Sequence, residues 1–172
     1  MGGHQASAAG QTTEAVERRL AAALAGGGHC LALAESCTGG LLAHRVTRVP
    51  GSSAYFDRGL VVYSNRAKQE LLGIPAELLE QHGAVSEACA VAMLGGLFAR
   101  TSATLAAAVT GIAGPTGGSP EKPVGTVWLA WGRRGASRAE CRWFAGGRVA
   151  VMEAVAEHGL QRLLECVTEP PR

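Results

Sequence analysis

Aromatic residues make up only 5% of this 172-residue chain, and neither sign of charge dominates: the formal net charge is +2. Nucleic-acid surfaces interleave a basic stripe with stacking platforms, so this scarcity argues against a nucleic-acid partner. Long apolar runs are lacking too. None approaches the about 18 residues needed to span a membrane, and no membrane partner is expected. Met1–Gln11 lacks a cationic segment followed by an apolar one, so no secretory signal is expected. The five cysteines (Cys30, Cys37, Cys89, Cys141 and Cys166) are odd in number and never spaced as CxxC. A reduced, cytoplasmic protein follows, with most thiols filling core space. The five histidines show no metal-ligand spacing, so no metal or other cofactor is expected.

Lysine is the most selective scarcity. Of 16 basic residues only Lys68 and Lys122 are lysine; the rest are arginine. An arginine-rich composition explains the abundance of arginine but not the two exceptions. Lysine can be desolvated and deprotonated near neutral pH, which arginine cannot. Either lysine is therefore a candidate for chemistry.

What is present is a globular composition, 47% hydrophobic and 17% charged. Residues 12–167 are expected to form one domain, between a polar tail over 1–11 and a C-terminal tail over 168–172. Thr12 or Thr13 can cap a helix in which Val16, Leu20 and Leu24 share a face and Gly26-Gly27-Gly28 ends the run. Cys30–Ala34 reads as a short buried strand, and Gly39–Val49 as a helix stopped by Pro50-Gly51. A strand-like run, Gly59–Tyr63, precedes a helix capped by Ser64 or Asn65 and closed by Gly73. Pro75 has the place of a first-turn proline in a short helix. Ser86-Glu87 opens a longer helix ending near Thr101. Thr104–Thr110, Val124–Trp131 and Ala139–Phe144 read as strands, the last two around a turn at Gly132–Gly135. Arg148–Cys166 is the final helix. Strands interleaved with helices predict a three-layer α/β/α domain with a mostly parallel sheet and an antiparallel part near the C-terminus.

Chemistry concentrates where strands end. Glu35-Ser36-Cys37-Thr38-Gly39-Gly40 puts two nucleophile types at the carboxyl end of a strand with a helix starting just behind. Backbone N–H groups there point into the space a substrate would fill. Ser36 reads as a nucleophile or as a simple turn residue. Cys37 is the intrinsically stronger rival, but no histidine is marked as its partner: His44 lies well into the next helix and His29 precedes the strand. The long loop Gly111–Pro123 shares a sheet edge with Ser36 if the two preceding strands are parallel, the place where such sheets bind ligands. It lacks the GxxxxGK[ST] order of a phosphate-binding loop.

Three of these segments, Glu35–Gly40, Tyr63–Lys68 and Thr110–Pro115 running on through Ser119–Val127, resemble the CinA C-terminal domain family. Val49–Phe56 and His82–Ser86 extend the resemblance to roughly residues 13–166. Characterised members are nicotinamide-nucleotide amidases. The resemblance thus implies hydrolysis of the carboxamide of nicotinamide mononucleotide to nicotinate mononucleotide and ammonia, within pyridine nucleotide salvage. It implies Ser36 as nucleophile, Lys68 as base and Tyr63 as proton relay, a division of labour that a dry pocket permits. It further implies substrate contacts from Glu35, Thr38, Gly39, Gly40, Gly111, Gly114, Thr116 and Arg148. In this set Thr38–Gly40 offer N–H groups, Gly111, Gly114 and Thr116 line the nucleotide site, and Glu35 orders the turn. No cofactor is needed, and family habit with apolar helix faces favours a homodimer or higher homo-oligomer. One departure stands out. The family commonly continues Phe-x-Gly with Asp-Arg and then a second arginine; here Gly147 replaces the aspartate and Met152 the second arginine. Two other readings therefore stand beside the first: a serine–lysine amidohydrolase on a different amide, or a catalytically silent nucleotide-binding or partner module.

Overall fold

The computed structural model describes residues 15–169. In chain order it contains α1 (Val16–Gly27), β1 (Leu31–Glu35), α2 (Leu41–Thr47), a 3-10 turn (Ser52–Ala54), β2 (Phe56–Val61), α3 (Asn65–Leu72), α4 (Ala76–His82), α5 (Glu87–Arg100), β3 (Leu105–Gly111), β4 (Thr126–Arg133), β5 (Ala136–Trp143) and α6 (Arg148–Thr168). The five strands form one sheet in the order β2-β1-β3-β4-β5. β1 pairs parallel with β2 and β3, whereas β3–β4 and β4–β5 are antiparallel. Only β4 therefore runs against the rest. The expected mixture of parallel centre and antiparallel C-terminal strands is what the fold shows.

Strand residues alternate between two cores. Leu31, Leu33, Leu105, Val109, Val127 and Leu129 face α1, α2 and α6. Ala32, Ala34, Ala106, Ala108 and Ala130 face α3, α4 and α5. β1 and most of β3 are buried on both sides, so they read as near-continuous apolar runs. The alanine floor on one face gives α5 a close seat against the sheet.

Local chemistry sets the element ends. Ser64 caps α3 by accepting from the Ala67 N–H at 3.0 Å, and Ser86 caps α5 by accepting from Cys89 at 3.1 Å. Several boundaries differ from expectation. α2 begins at Leu41 because Gly39 and Gly40 adopt positive φ (63° and 99°), a region glycine enters cheaply. Pro75 is the N-cap of α4 rather than its first helical residue. Thr12 and Thr13 lie outside the described residues, and α1 starts after Ala15. The antiparallel strands run on to Arg133 and resume at Ala136, leaving only Arg134-Gly135 as the turn. Two arginines support that tight hairpin from opposite faces. Arg133 donates to the carbonyls of Cys166 and Val167 at the end of α6 (3.0 and 3.1 Å). Arg134 donates to the carbonyls of Phe98 and Thr101 at the end of α5 (both 2.7 Å). Cations at helix C-termini satisfy carbonyls the helix itself leaves open. α6 itself continues to Thr168, which was expected to begin the tail.

Candidate active site

Parallel β1, β2 and β3 end at one edge of the sheet, and the loops leaving them converge there. Ser36 follows β1 directly, with its N–H donating to the Val109 carbonyl of β3 at 2.9 Å. The side chain is buried (7% exposed) at the floor of a cavity of about 350 Å³. That size falls within the about 300–1,000 Å³ range of small-molecule sites.

Lys68 enters from the first turns of α3. Its side chain is among the most deeply buried in the protein, at 1% exposure. Nζ lies 3.0 Å from Ser36 Oγ and donates to the Val62 carbonyl at 3.0 Å. Burial drives its pKa below the usual lysine value. No carboxylate pairs with it among the described residues. A buried amine without a counter-ion favours its neutral form, the form that can take a proton from a hydroxyl.

Cys37 has the opposite electrostatics. Burial, reinforced by the Glu35 charge, pushes its thiol up to about 12. A thiol held protonated is a weak nucleophile. His44 is exposed on α2 and does not line the cavity. The hydroxyl and the thiol in the turn are thus distinguished by their surroundings: Ser36 is hydrogen-bonded to the Lys68 amine and Cys37 is not.

Glu35 is only 1% exposed, and its carboxylate is fully engaged. It accepts from the Thr38 hydroxyl (2.7 Å) and from the N–H groups of Gly40 (3.0 Å), Leu42 (3.1 Å) and Ala43 (2.8 Å). These donors are the open amides of the first turn of α2, which a carboxylate complements. Glu35 therefore orders the turn, and it does not line the cavity. The N–H of Gly40 is thereby engaged with Glu35, and the Gly39 N–H donates to the Ser36 carbonyl at 3.2 Å; Thr38 gives Glu35 its hydroxyl but keeps its N–H. None of these four residues lines the cavity. The N–H groups of Cys37 and Thr38 have no partner among the described residues, and of the two residues Cys37 lines the cavity.

Across the mouth, Arg148 at the start of α6 donates to the Gly114 carbonyl (2.8 Å) and to the Tyr63 hydroxyl (2.7 Å). Tyr63 is 57% exposed and lines the cavity without a hydrogen bond to Ser36 or Lys68. Gly111, Gly114 and Thr116 also line it. Gly114 has φ +84°, and a Cβ there would meet Val124 at 2.5 Å. A Cβ at Gly111 would strike Val127 and the Thr126 carbonyl, so the β3–β4 pairing by itself requires glycine there. Lys122 does not line the cavity; it ties the loop to the α4–α5 connection by donating to the Val85 carbonyl at 2.8 Å. Met152 packs with the apolar core near Gly39 and is not among the residues lining the cavity. Among the described residues no group of three or more His, Cys, Asp or Glu side chains is arranged to hold a metal ion.

Sequence reasoning missed Asn65, Ala84, Val85 and Thr110, all of which line the cavity. The Thr110 hydroxyl donates to the Ala84 carbonyl at 2.7 Å, joining β3 to the segment before α5. Each of the four falls inside a segment that carried the family resemblance, which was the available signal.

An α/β domain with a buried serine–lysine pair at the carboxyl ends of parallel strands defines the class. The description "CinA C-terminal domain" matches residues 13–167, and the chain belongs to that family. It is similar to a protein of Pseudomonas putida named nicotinamide-nucleotide amidohydrolase PncC, with 52% identity over 136 residues covering 79% of this chain and 85% of that one. It is also 50% identical over 141 residues to a CinA-like protein of Akkermansia muciniphila, covering 81% of this chain and 34% of the relative. The chain spans little more than a third of the length of that relative and of a Symbiobacterium thermophilum relative, of which 38% is covered. Among solved structures, the competence damage-inducible protein A of Klebsiella pneumoniae superposes with a TM-score of 0.87 at 39% identity, covering 91% of this chain and 97% of that chain. The competence/damage inducible protein CihA of Agrobacterium tumefaciens gives 0.84 at 38% identity, covering 94% and 100%.

Proposed function

We propose that this chain is an amidohydrolase that converts nicotinamide mononucleotide to nicotinate mononucleotide and ammonia through a covalent ester on Ser36. The observation that carries the reading is the buried contact between Ser36 Oγ and Lys68 Nζ, 3.0 Å apart. Similarity to the P. putida protein named as a nicotinamide-nucleotide amidohydrolase supports the substrate.

In the proposed sequence neutral Lys68 takes the Ser36 hydroxyl proton as Oγ attacks the carboxamide carbon. The carbonyl oxygen becomes an oxyanion, which the unpartnered Cys37 N–H can receive. Collapse breaks the C–N bond, and the amine leaves as ammonia with a proton returned from Lys68. Water then attacks the ester, again deprotonated by Lys68, and releases the carboxylate and Ser36. Tyr63, whose oxygen accepts from Arg148, acts as the relay for that proton, giving its own to the departing amine and being reprotonated by Lys68. Gly114, Thr116 and Arg148 hold the nucleotide at the mouth. No cofactor enters these steps. The enzyme works in the cytoplasm as a homodimer or larger homo-oligomer. Met152, standing where an anion-binding arginine is common in the family, favours a second reading in which the same pair cleaves a different amide.

Ser36→Ala should abolish ammonia release from nicotinamide mononucleotide, by on the order of 10³-fold or more, while Cys37→Ala stays active. Near-full activity of folded Ser36→Ala, with loss in Cys37→Ala, would transfer the nucleophile to the cysteine.

A further inference from the structure

We propose that Lys122 is a positioning residue for the nucleotide: it holds the glycine loop and the α4–α5 connection, two walls of the cavity, at a fixed spacing. The proposal rests on the reading of this cavity as a nucleotide site.

The arginine-rich composition spares lysine at two positions. Lys68 meets Ser36, whereas Lys122 does not line the cavity and is not placed for proton transfer there. Its ammonium donates instead to the Val85 carbonyl at 2.8 Å. The backbone beneath it is fixed. The Ser119 N–H donates to the Lys122 carbonyl at 2.9 Å, and the Lys122 N–H donates to Ser119 Oγ at 3.1 Å. The side chain therefore reaches out from a closed turn near the far end of the loop. A single carbonyl suits an ammonium, a compact charge with rotating donors, better than the rigid fork of a guanidinium.

Both walls are irregular. The loop runs over 112–125, between β3 and β4, with no helix or strand of its own. Ile112, Ala113, Gly114, Thr116 and Gly117 of this loop line the cavity. Loops of that length in compact domains are usually functional or disordered, so what fixes this one matters.

The other wall, at 83–86, joins α4 to α5 and contributes Ala84 and Val85 to the lining. Three successive carbonyls there each accept from a side chain: Gly83 from the Ser86 hydroxyl (2.9 Å), Ala84 from the Thr110 hydroxyl (2.7 Å) and Val85 from Lys122. The first of these bonds is local. The other two come from the two ends of the loop, Thr110 at its root on β3 and Lys122 at its far end. Together they pin one wall to the other at two points. Removing the ammonium leaves the Val85 carbonyl without that partner and frees the far end of the loop to shift. A misplacement of about 1 Å can cost on the order of 10²-fold even when it arises away from the reacting atoms.

Steady-state kinetics with nicotinamide mononucleotide test this, beside calorimetric binding of the same nucleotide in a Ser36→Ala background, which reads affinity without turnover. Lys122→Met should raise KM about 10-fold or more while kcat stays within about threefold of wild type, with binding weakened by the same factor. Lys122→Ala should give the same split, so the outcome does not hang on one variant. Thr110→Val, which cuts the other tie without changing charge, should also raise KM. A residue that served stability alone would lower the melting temperature and leave KM and affinity in place. Unchanged KM and affinity in folded Lys122→Met would overturn the proposal and leave the reaction standing. A rise in the Lys122 variants without one in Thr110→Val would assign the effect to charge and overturn it as well. Should the wild type bind the nucleotide without releasing ammonia, the reaction fails and the affinity of the Lys122 variants decides the proposal. No binding in the Ser36→Ala background would overturn both.

Discussion

At the residue scale, Lys68 is the side chain whose environment most narrows its role. It is held by one hydroxyl and one carbonyl in an otherwise apolar burial, and that burial lowers its pKa. Activity should therefore rise with pH through an apparent pKa below the usual lysine value of about 10.4, as the ammonium loses its proton. Lys68→Arg keeps the charge but stays protonated at any working pH, so it should lose about 10² to 10⁴-fold near neutrality. A rate within about threefold of wild type would remove the base role. Ser36 and Lys68 were legible in the sequence because a strand-to-Gly-Gly turn and a lysine spared in an arginine-rich chain are both unusual. Glu35 was only half legible. Its ordering of the turn was foreseen, but a substrate contact was expected as well. Only the fold shows the amides of α2 consuming its carboxylate. The same contacts take up the Thr38 hydroxyl and the Gly40 N–H, and neither residue lines the cavity.

At the element scale, the strands and helices were legible where hydrophobic periodicity was strong, as in β1, β3, α5 and α6. The hairpin was not. Arg133 and Arg134 look like turn residues, yet each is held by carbonyls at a helix end, and these long-range contacts let β4 and β5 extend. β5 is further fastened to α6 by Glu140. Burial opposes ionisation of that carboxyl, but hydrogen bonds from Arg162 and His158 outweigh it and hold the pKa down at about 2. Arg162 donates to both oxygens, at 2.8 and 3.1 Å. A depressed carboxyl contributes stability above its unfolded value and loses it as pH falls through the folded one. Glu140 should therefore contribute up to about 3 kcal/mol above about pH 4.5, fading between there and about pH 2. Melting temperatures from pH 6 to 2 check this. Glu140→Gln should lower the plateau and flatten the acid decline, whereas an equally steep decline in the variant would place the lost stability elsewhere.

At the scale of the whole molecule, the sheet topology is what makes the site. Parallel β1, β2 and β3 bring Ser36, the Tyr63–Lys68 segment and the glycine loop to one edge, although they are far apart in the chain. Sequence pattern foresaw that edge conditionally, on the strands being parallel, and the register bears the condition out. Tyr63, Gly114 and Arg148 were each named for the site from the sequence, but their mutual contacts were not, because Arg148–Tyr63 and Arg148–Gly114 join segments 85 and 34 residues apart. Met152 was equally opaque. It does not line the cavity, where the basic side chains are Lys68 and Arg148. The most direct test incubates the purified chain with nicotinamide mononucleotide and measures ammonia and nicotinate mononucleotide together. Release of both in equal amounts, lost in Ser36→Ala, is the predicted result. No ammonia from this nucleotide, from a folded wild-type protein, would contradict the proposed reaction.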